Sequence, residues 1–475
     1  MHDTYSSPLS ARYASRAMLE LWSAQERHLL WRQLWIALAE SEMELGIDIP
    51  QAAIAEMRAA ASRIDFDAAA KYEERFRHDV MAHVHTFGDA APGARRFIHL
   101  GATSAFVTDN ADLILMRRAL SLLRGRALDV VRALAAFADH WKDEPTLGYT
   151  HIQPAQLTTV GKRATLWIQD LVLDIRDIQY RIDSLPLRGV KGTTGTQASF
   201  LRLFNGDHGK VRELDRLVTS KMGFASSIPV SGQTYTRKLD AAVLGAVAGL
   251  ATSAAKFASD MRLLQAFGEM EEPFEKEQIG SSAMAYKRNP MRSERINSLA
   301  RFVLSLESNA NETHSVQYFE RTLDDSANRR LVIPEMFLAT DAIMLIMRNI
   351  ASGLEVHPAR IARRVADELP FMATEELIVR AVEAGGDRQE AHETIRKHSV
   401  AAATAVKDGA ARNDMLDRLA ADPDYSVPID DLRSVLDARN FIGRSSEQVS
   451  EFLREVVAPL LEETTDALSA EALRV

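Results

Sequence analysis

Residues 236–268, TRKLDAAVLGAVAGLATSAAKFASDMRLLQAFG, set Leu239, Val243, Val247, Leu250, Ala254 and Phe257 three or four positions apart. That step keeps the apolar side chains on one face of an α-helix. The stripe is rich in alanine and glycine, which lets helices approach closely and predicts neighbours on several sides. A helix of about 30 residues is about 45 Å long. Such a rod does not fit a compact globule; it fits a bundle, within one chain or shared between subunits.

The same period recurs outward in both directions. Residues 24–45 carry it up to Gly46, and 51–61 are alanine-rich and helical. Ile64-Asp65-Phe66-Asp67 reads as the cap of a helix running to about Gly88. Long helical patterns follow at roughly 108–142, with Leu113, Met116, Leu120 and Leu123 in step, then at 155–185, 207–222 and 292–318. No alternating segment exceeds about five residues, so the chain is expected to be all-α. The loop Gly101–Ser104 and the His357-Pro358 step divide it into three expected helical domains: 1–104, a central long-helix bundle at 105–356, and 357–475. The last has shorter helices, with loops around 408–413 and 422–431.

Bulk composition narrows the class. Of 475 residues, 46% are hydrophobic and 26% charged, ordinary for a water-exposed globular chain. No run approaches 18 consecutive apolar residues, which argues against a membrane span. Met1-His2-Asp3-Thr4 lacks the basic start and apolar core of a signal peptide. The absence of cysteine removes disulfides, thiolate chemistry and cysteine-based zinc sites, and fits a reducing, cytoplasmic setting. A net charge of −9 argues against general nucleic-acid affinity. An anionic ligand would need arginine and lysine gathered locally against that background.

Several stretches gather them. Gly280-Ser281-Ser282-Ala283-Met284-Ala285-Tyr286-Lys287-Arg288-Asn289-Pro290 opens with small residues whose amides can approach an anion. It offers two hydroxyls, turns cationic, and is followed by Arg292 and Arg295. It reads either as a loop that closes over a polyanion or as a solvated basic loop. Arg77-His78-Asp79 precedes His83 and His85 in a His-x4-His-x-His spacing, which is not the i, i+4 pair of a helical metal site. An anion site with His78 tuned by Asp79 and three inconsequential histidines both remain open.

His99-Leu100-Gly101-Ala102-Thr103-Ser104 leads into a long helix, and serves as a carboxylate site or an ordinary N-cap, with Ser104, Thr108 or Asp109 as the cap. Thr150-His151-Ile152-Gln153-Pro154 puts a histidine before a proline suited to the first turn of a helix. Lys191-Gly192-Thr193-Thr194-Gly195-Thr196-Gln197 lacks the Gly-Lys-Ser/Thr ending and preceding strand of a nucleotide loop. Gln233 to Lys238 and Glu320 to Arg330 complete the set. Arg321, Arg329 and Arg330 read as a phosphate clamp with Ser326, or as partners of Asp324 and Asp325.

The pattern Gly-Ser-Ser-x-Met-x-x-Lys-x-Asn-Pro resembles the signature loop of the fumarase/aspartase superfamily, and the chain resembles its adenylosuccinate lyase family, of the type found in animals. The likeness runs from Tyr5-Ser6-Ser7-Pro8-Leu9 to Phe452, with Ala285 where that family usually has proline. It implies a carbon–nitrogen lyase of purine nucleotide biosynthesis. Adenylosuccinate would yield AMP and fumarate, and the related succinyl-carboxamide ribotide would be cleaved likewise. By resemblance His151 is the general acid, Ser281 the general base and His78 a supporting group; a histidine base with Ser281 as donor stays open. Arg12 and Tyr13 match the nucleotide-contacting pair. Arg77, Asp79, Thr103, Ser104, Gln233, Lys287, Asn289, Arg295, Arg321, Ser326 and Arg330 fall on the substrate. The resemblance further implies no metal or organic cofactor, and a homotetramer whose long helices form one bundle and whose sites draw on three subunits. Superfamily relatives acting on argininosuccinate, aspartate or malate lack a phosphate, and would leave Arg12-Tyr13 and the Arg321–Arg330 group without a task. A helical scaffold without activity is the other alternative; intact Ser281, His151, His78 and Lys287 speak against it.

Overall fold

The computed structural model describes residues 3–425 and 427–462. Its frame is five long helices: Ser104–His140, Val160–Ser184, Lys238–Phe267, Met291–Ser315 and Asp324–Ser352. The 238–267 helix packs against 160–184, 291–315 and 324–352, and the 104–140 helix against 160–184 and 324–352. Val243, Val247, Leu250, Ala254 and Phe257 are all buried there, so the stripe read from the sequence is its packing face. Gly268 closes it at φ 72, a left-handed backbone that favours glycine. Among the described residues this helix alone is long and apolar enough to cross a membrane, but its apolar residues are spent on the bundle.

Two other apolar clusters flank the bundle. One joins the helices Ala24–Glu44, Gln51–Ala60 and Asp79–Ala90 to the first turns of the 104–140 helix and to residues 187–224, around Trp35, Phe87, Phe106 and Phe200. The other lies between Ala373 and Val435.

Three local readings are corrected. The helix expected from 64 to 88 is two, Phe66–Phe76 and Asp79–Ala90. Arg77 turns left-handed at φ 54, and the extended His78 becomes the N-cap of the second. No glycine or proline marks the break, so periodicity ran through it. The helix expected from 155 begins at Val160, because Pro145–Thr150 and Gln153–Thr159 pair as an antiparallel hairpin. These strands, of 6 and 7 residues, exceed the length the sequence suggested. Pro154 therefore sits in a strand and not in a helix turn, which a two-stranded ribbon of edges tolerates.

The 238–267 helix gives the bundle two distinct ends. At its start, Arg237 is ion-paired with Asp109 and Asp325, near the starts of the 104–140 and 324–352 helices. At its finish, Phe267 lies against Tyr149 of the hairpin and Gln265 Nε2 donates to Arg288 O of the 280–290 loop. Its 30 residues set these ends about 45 Å apart.

Candidate active site

A cleft of about 1060 Å³ opens at the first end. Arg77, His78, Asp79, Thr103, Ser104, Gln233, Arg321, Ser326 and Arg330 line it, bringing together nine candidates from four separate stretches. His78 Nδ1 accepts from Met81 N at 3.4 Å, capping its helix, which leaves Nε2 to face Ser104 Oγ at 3.3 Å. Asp79 takes Arg330 at 2.6 Å and Val80 N at 2.8 Å, and stands 3.7 Å from His78. Burial works against its charge, but Arg330 and Val80 N outweigh it and hold the carboxyl below the usual range. Arg321 donates to Gln233 Oε1 at 3.0 Å. Ser104 is the first helical residue and Thr103 the cap, without a side-chain capping bond, so neither hydroxyl is consumed by capping.

Beneath the cleft lies a buried charge network that the sequence did not announce. Arg237 bridges Asp109 and Asp325, while Arg329 pairs with Asp240 and Asp112 and touches the Tyr235 hydroxyl. Asp109 also accepts from Tyr235 N at 2.9 Å. Burial opposes each charge, yet the opposite charges win. Asp109 stays below its usual range, and Arg237 and Arg329 hold their protons more tightly than exposed arginines do. Arg329 thus leaves the phosphate clamp, and neither it nor Arg330 pairs with Asp324 or Asp325. The network fixes the backbone that presents Gln233, Ser326 and Arg330.

The aromatic wall of the cleft was also missed. His83 stacks on His28 with ring centroids 3.8 Å apart, beside Trp31 and Phe66. Burial pushes His28 down to about 4 and His83 to about 3, so both are neutral rings. His85 packs instead on Tyr72 and Phe76. The three histidines of one motif therefore have three different surroundings.

The other candidates lie at the opposite end. His151 and Ile152 form the tip of the hairpin at φ 54 and 59, the left-handed pair of a tight two-residue turn that leaves both side chains exposed. Ser281 Oγ accepts from Ala283 N at 3.3 Å and Met284 N at 3.1 Å. Two amides on one hydroxyl oxygen favour negative charge there. Asn289 Nδ2 donates to Gly280 O at 2.6 Å and pins the neck of the loop, a structural task beside the one expected of it. A Cβ at Gly280 would fall onto Lys287 O, so only glycine fits this neck. Arg295, one turn into the next helix, and Arg12 both stand 5.9 Å from the Tyr13 ring. Glu271, Glu355 and His357 present ligand atoms within 4.8 Å of one another, but Arg288 already bridges both carboxylates at 2.6 and 2.9 Å.

Comparison with known proteins decides the family. Residues 4–305 match the family described as Lyase, and residues 370–452 the one described as Adenylosuccinate lyase C-terminus. The chain is 51% identical over 463 residues to the adenylosuccinate lyase of Schizosaccharomyces pombe, covering 97% of this chain and 96% of that one. This chain belongs to the adenylosuccinate lyase family. It is also 47% identical over 470 residues to the Schistosoma mansoni adenylosuccinate lyase, covering 98% of each, in keeping with the animal-type branch. A fumarate lyase structure from a Mesorhizobium species aligns with TM-score 0.80 over 95% of this chain and 100% of that one, at 24% identity, and shares the fold.

Against that family's loop, Ala285 is the departure, and the structure locates it. Lys287 N donates to Met284 O at 3.0 Å, so Ala285 occupies the second position of a β-turn, where proline fits. Ala285→Pro should narrow the open loop's conformations, a saving of about 0.4–1 kcal/mol. Turnover per encounter is expected to rise about two- to fivefold, read as kcat/KM; a fall would place Ala285 outside such a turn in the closed loop.

Proposed function

We propose that this chain cleaves adenylosuccinate to AMP and fumarate, and its ribotide counterpart likewise, in a cytoplasmic homotetramer with composite sites. What carries the reading is the separation of the candidates. His78 and its cleft lie at one end of the bundle, and His151 and Ser281 at the other, about 45 Å away along a 30-residue helix. A two-residue hairpin tip and a short loop do not span that distance, so the reaction requires the far end of other copies. The 160–184 helix has a surface for them: Leu166, Leu173 and Tyr180 recur every seven residues and are 50%, 56% and 60% exposed. The three-domain division at 104 and 356 belongs to the same reading, with the middle domain forming the shared bundle.

The chemistry then assigns each group. Ser281 Oγ, held as an alkoxide by the amides of Ala283 and Met284, removes a proton from the succinyl carbon beside a carboxylate and becomes the neutral hydroxyl. The electron pair enters the carboxylate, whose second negative charge Lys287 and the loop amides balance. That pair returns as the C–N bond breaks, and His151 delivers a proton to the departing nitrogen. Loop closure excludes water, without which a serine is too weak a base. His78, with Thr103 and Ser104, holds a substrate carboxylate, while Arg77, Asp79, Gln233, Arg321, Ser326 and Arg330 orient the rest. Arg12, Tyr13 and Arg295 take the phosphate. These groups supply acid, base and charge without a cofactor.

The test is fumarate release from adenylosuccinate, wild type beside Ser281→Ala. Release that collapses in the variant supports reaction and base together. Release that survives removes Ser281 as the base, and no release from folded wild-type protein defeats the reading.

A further inference from the structure

The segment that carries Arg12 and Tyr13 is joined to the bundle by a buried polar contact whose chemistry can be edited. Residues Leu9–Tyr13 form one wide helical turn lying on the 324–352 helix, with Leu9 and Ala14 buried beneath it. Its own hydrogen bonds, Ala11 N to Ser7 O, Ser10 Oγ to Ser7 O and Ala14 N to Leu9 O, shape the turn but fasten it to nothing. Arg12 is exposed and Tyr13 half-buried, so neither anchors it. The next residue is different. Ser15 is 2% exposed, and its backbone N–H donates to Asp341 Oδ2 at 2.7 Å. Asp341 is fully buried in the 324–352 helix, with Arg126 of the 104–140 helix 3.5 Å from its other oxygen.

We infer that Asp341, backed by Arg126, is a positioning residue that sets Arg12 and Tyr13 for the substrate phosphate by holding the Ser15 amide. This rests on the assignment of Arg12 and Tyr13 to the nucleotide under the proposed function. An N–H to a buried carboxylate is a charge-assisted hydrogen bond, stronger than a neutral one, and it pulls on the backbone directly behind the two phosphate-facing side chains. Apolar contact alone, through Leu9 and Ala14, leaves the turn free to slide. The carboxylate fixes it at one atom.

Changing Asp341 itself would remove a buried carboxylate that faces Arg126 and risk the fold. Ser15 offers a cleaner edit. Its φ of −66° and the extended Ala14 before it, at φ −69° and ψ 152°, are what a proline requires. Ser15→Pro therefore keeps the backbone path, removes the N–H and sets the ring Cδ in its place against Asp341 Oδ2, so the carboxylate must withdraw from the segment. It also removes the Ser15 Oγ cap on Met18 N, 3.0 Å away, and Ser15→Ala removes that cap alone. The difference between the two variants reports the loss of the contact between this backbone position and Asp341.

The experiment measures KM and kcat with adenylosuccinate, and hydrogen exchange over residues 7–14, in wild type, Ser15→Ala, Ser15→Pro and Arg12→Ala. Loss of a hydrogen bond to a charged group is expected to raise KM about tenfold or more in Ser15→Pro, with kcat changed by less than about twofold. Exchange over 7–14 should speed up in Ser15→Pro and not in Ser15→Ala. Equal behaviour of the alanine and proline variants in both readouts overturns the tether. Faster exchange in Ser15→Pro with unchanged KM overturns the positioning role. In that case an unchanged KM in Arg12→Ala shows that the assignment of Arg12 failed, and a raised one shows that the assignment holds without the tether.

Discussion

Co-expressed His78→Ala and Ser281→Ala chains, each nearly inactive alone, are expected to recover about a quarter of wild-type activity when they assemble together. Removal of a proton-transferring or supporting group costs about 10²–10⁴ in rate, so the single variants set a low floor. Recovery follows from the two ends of the 238–267 helix, since no one chain brings Ser281 to its own His78. In random assortment a site receives its intact His78 from a Ser281→Ala chain half the time, and its intact Ser281 from a His78→Ala chain half the time. Ser281→Ala mixed with Lys287→Ala is the control. Both residues travel on one loop, so that mixture should stay at the floor. His151→Ala with Ser281→Ala tests the third subunit, because the hairpin tip and the loop share one end of a chain yet are proposed to serve different sites. Activity of the first mixture that merely averages its parents would sink the composite site.

The long helices were legible because their periodicity is redundant. Along 238–267 six apolar positions agree with one another, and a single misplaced residue does not change the period. The breaks were not legible. Arg77 takes φ 54 without being glycine, and His78 caps with an imidazole, so the turn between Phe76 and Asp79 left no usual mark. The hairpin at 145–159 was hidden for the opposite reason. Pro154 and the apolar residues after it suit a helix start as well as an edge strand, and pairing with 145–150 decides. At the cleft, exposed polar residues in motifs could be read, whereas their buried supports could not. Asp109 looks like a cap and Asp240 like an ordinary helical acid until Arg237 and Arg329 meet them from 80 or more residues away. Sequence shows which groups can bind an anion, and only the fold shows which arginines are already spent.

Glu42→Gln is expected to stabilise the protein at neutral pH, the reverse of what most buried substitutions do. Glu42 lies in the 24–44 helix with no exposed surface, and neither carboxyl oxygen has a hydrogen-bond partner among the described residues. The neighbouring acids on that helix are served: Glu40 by Arg58 and Lys221, and Glu44 by Lys221. Burial pushes the Glu42 acid up from 4.5 to about 9. At pH 7 the folded chain therefore keeps a proton that the unfolded chain releases, and stability falls as pH rises from 4.5 toward 9, levelling off above. Integrated to pH 7, the penalty is roughly 3 kcal/mol. Glutamine has nearly the same shape, does not titrate, and leaves the buried amide about as unsatisfied as the neutral acid was. The gain should then be small near pH 5, about 3 kcal/mol at pH 7 and largest near pH 9. Urea unfolding at those pH values, at one fixed protein concentration because assembly adds to stability, reads this directly. A difference between the two proteins that does not change with pH would mean that Glu42 is ionised in the fold, with a cation or water reaching it.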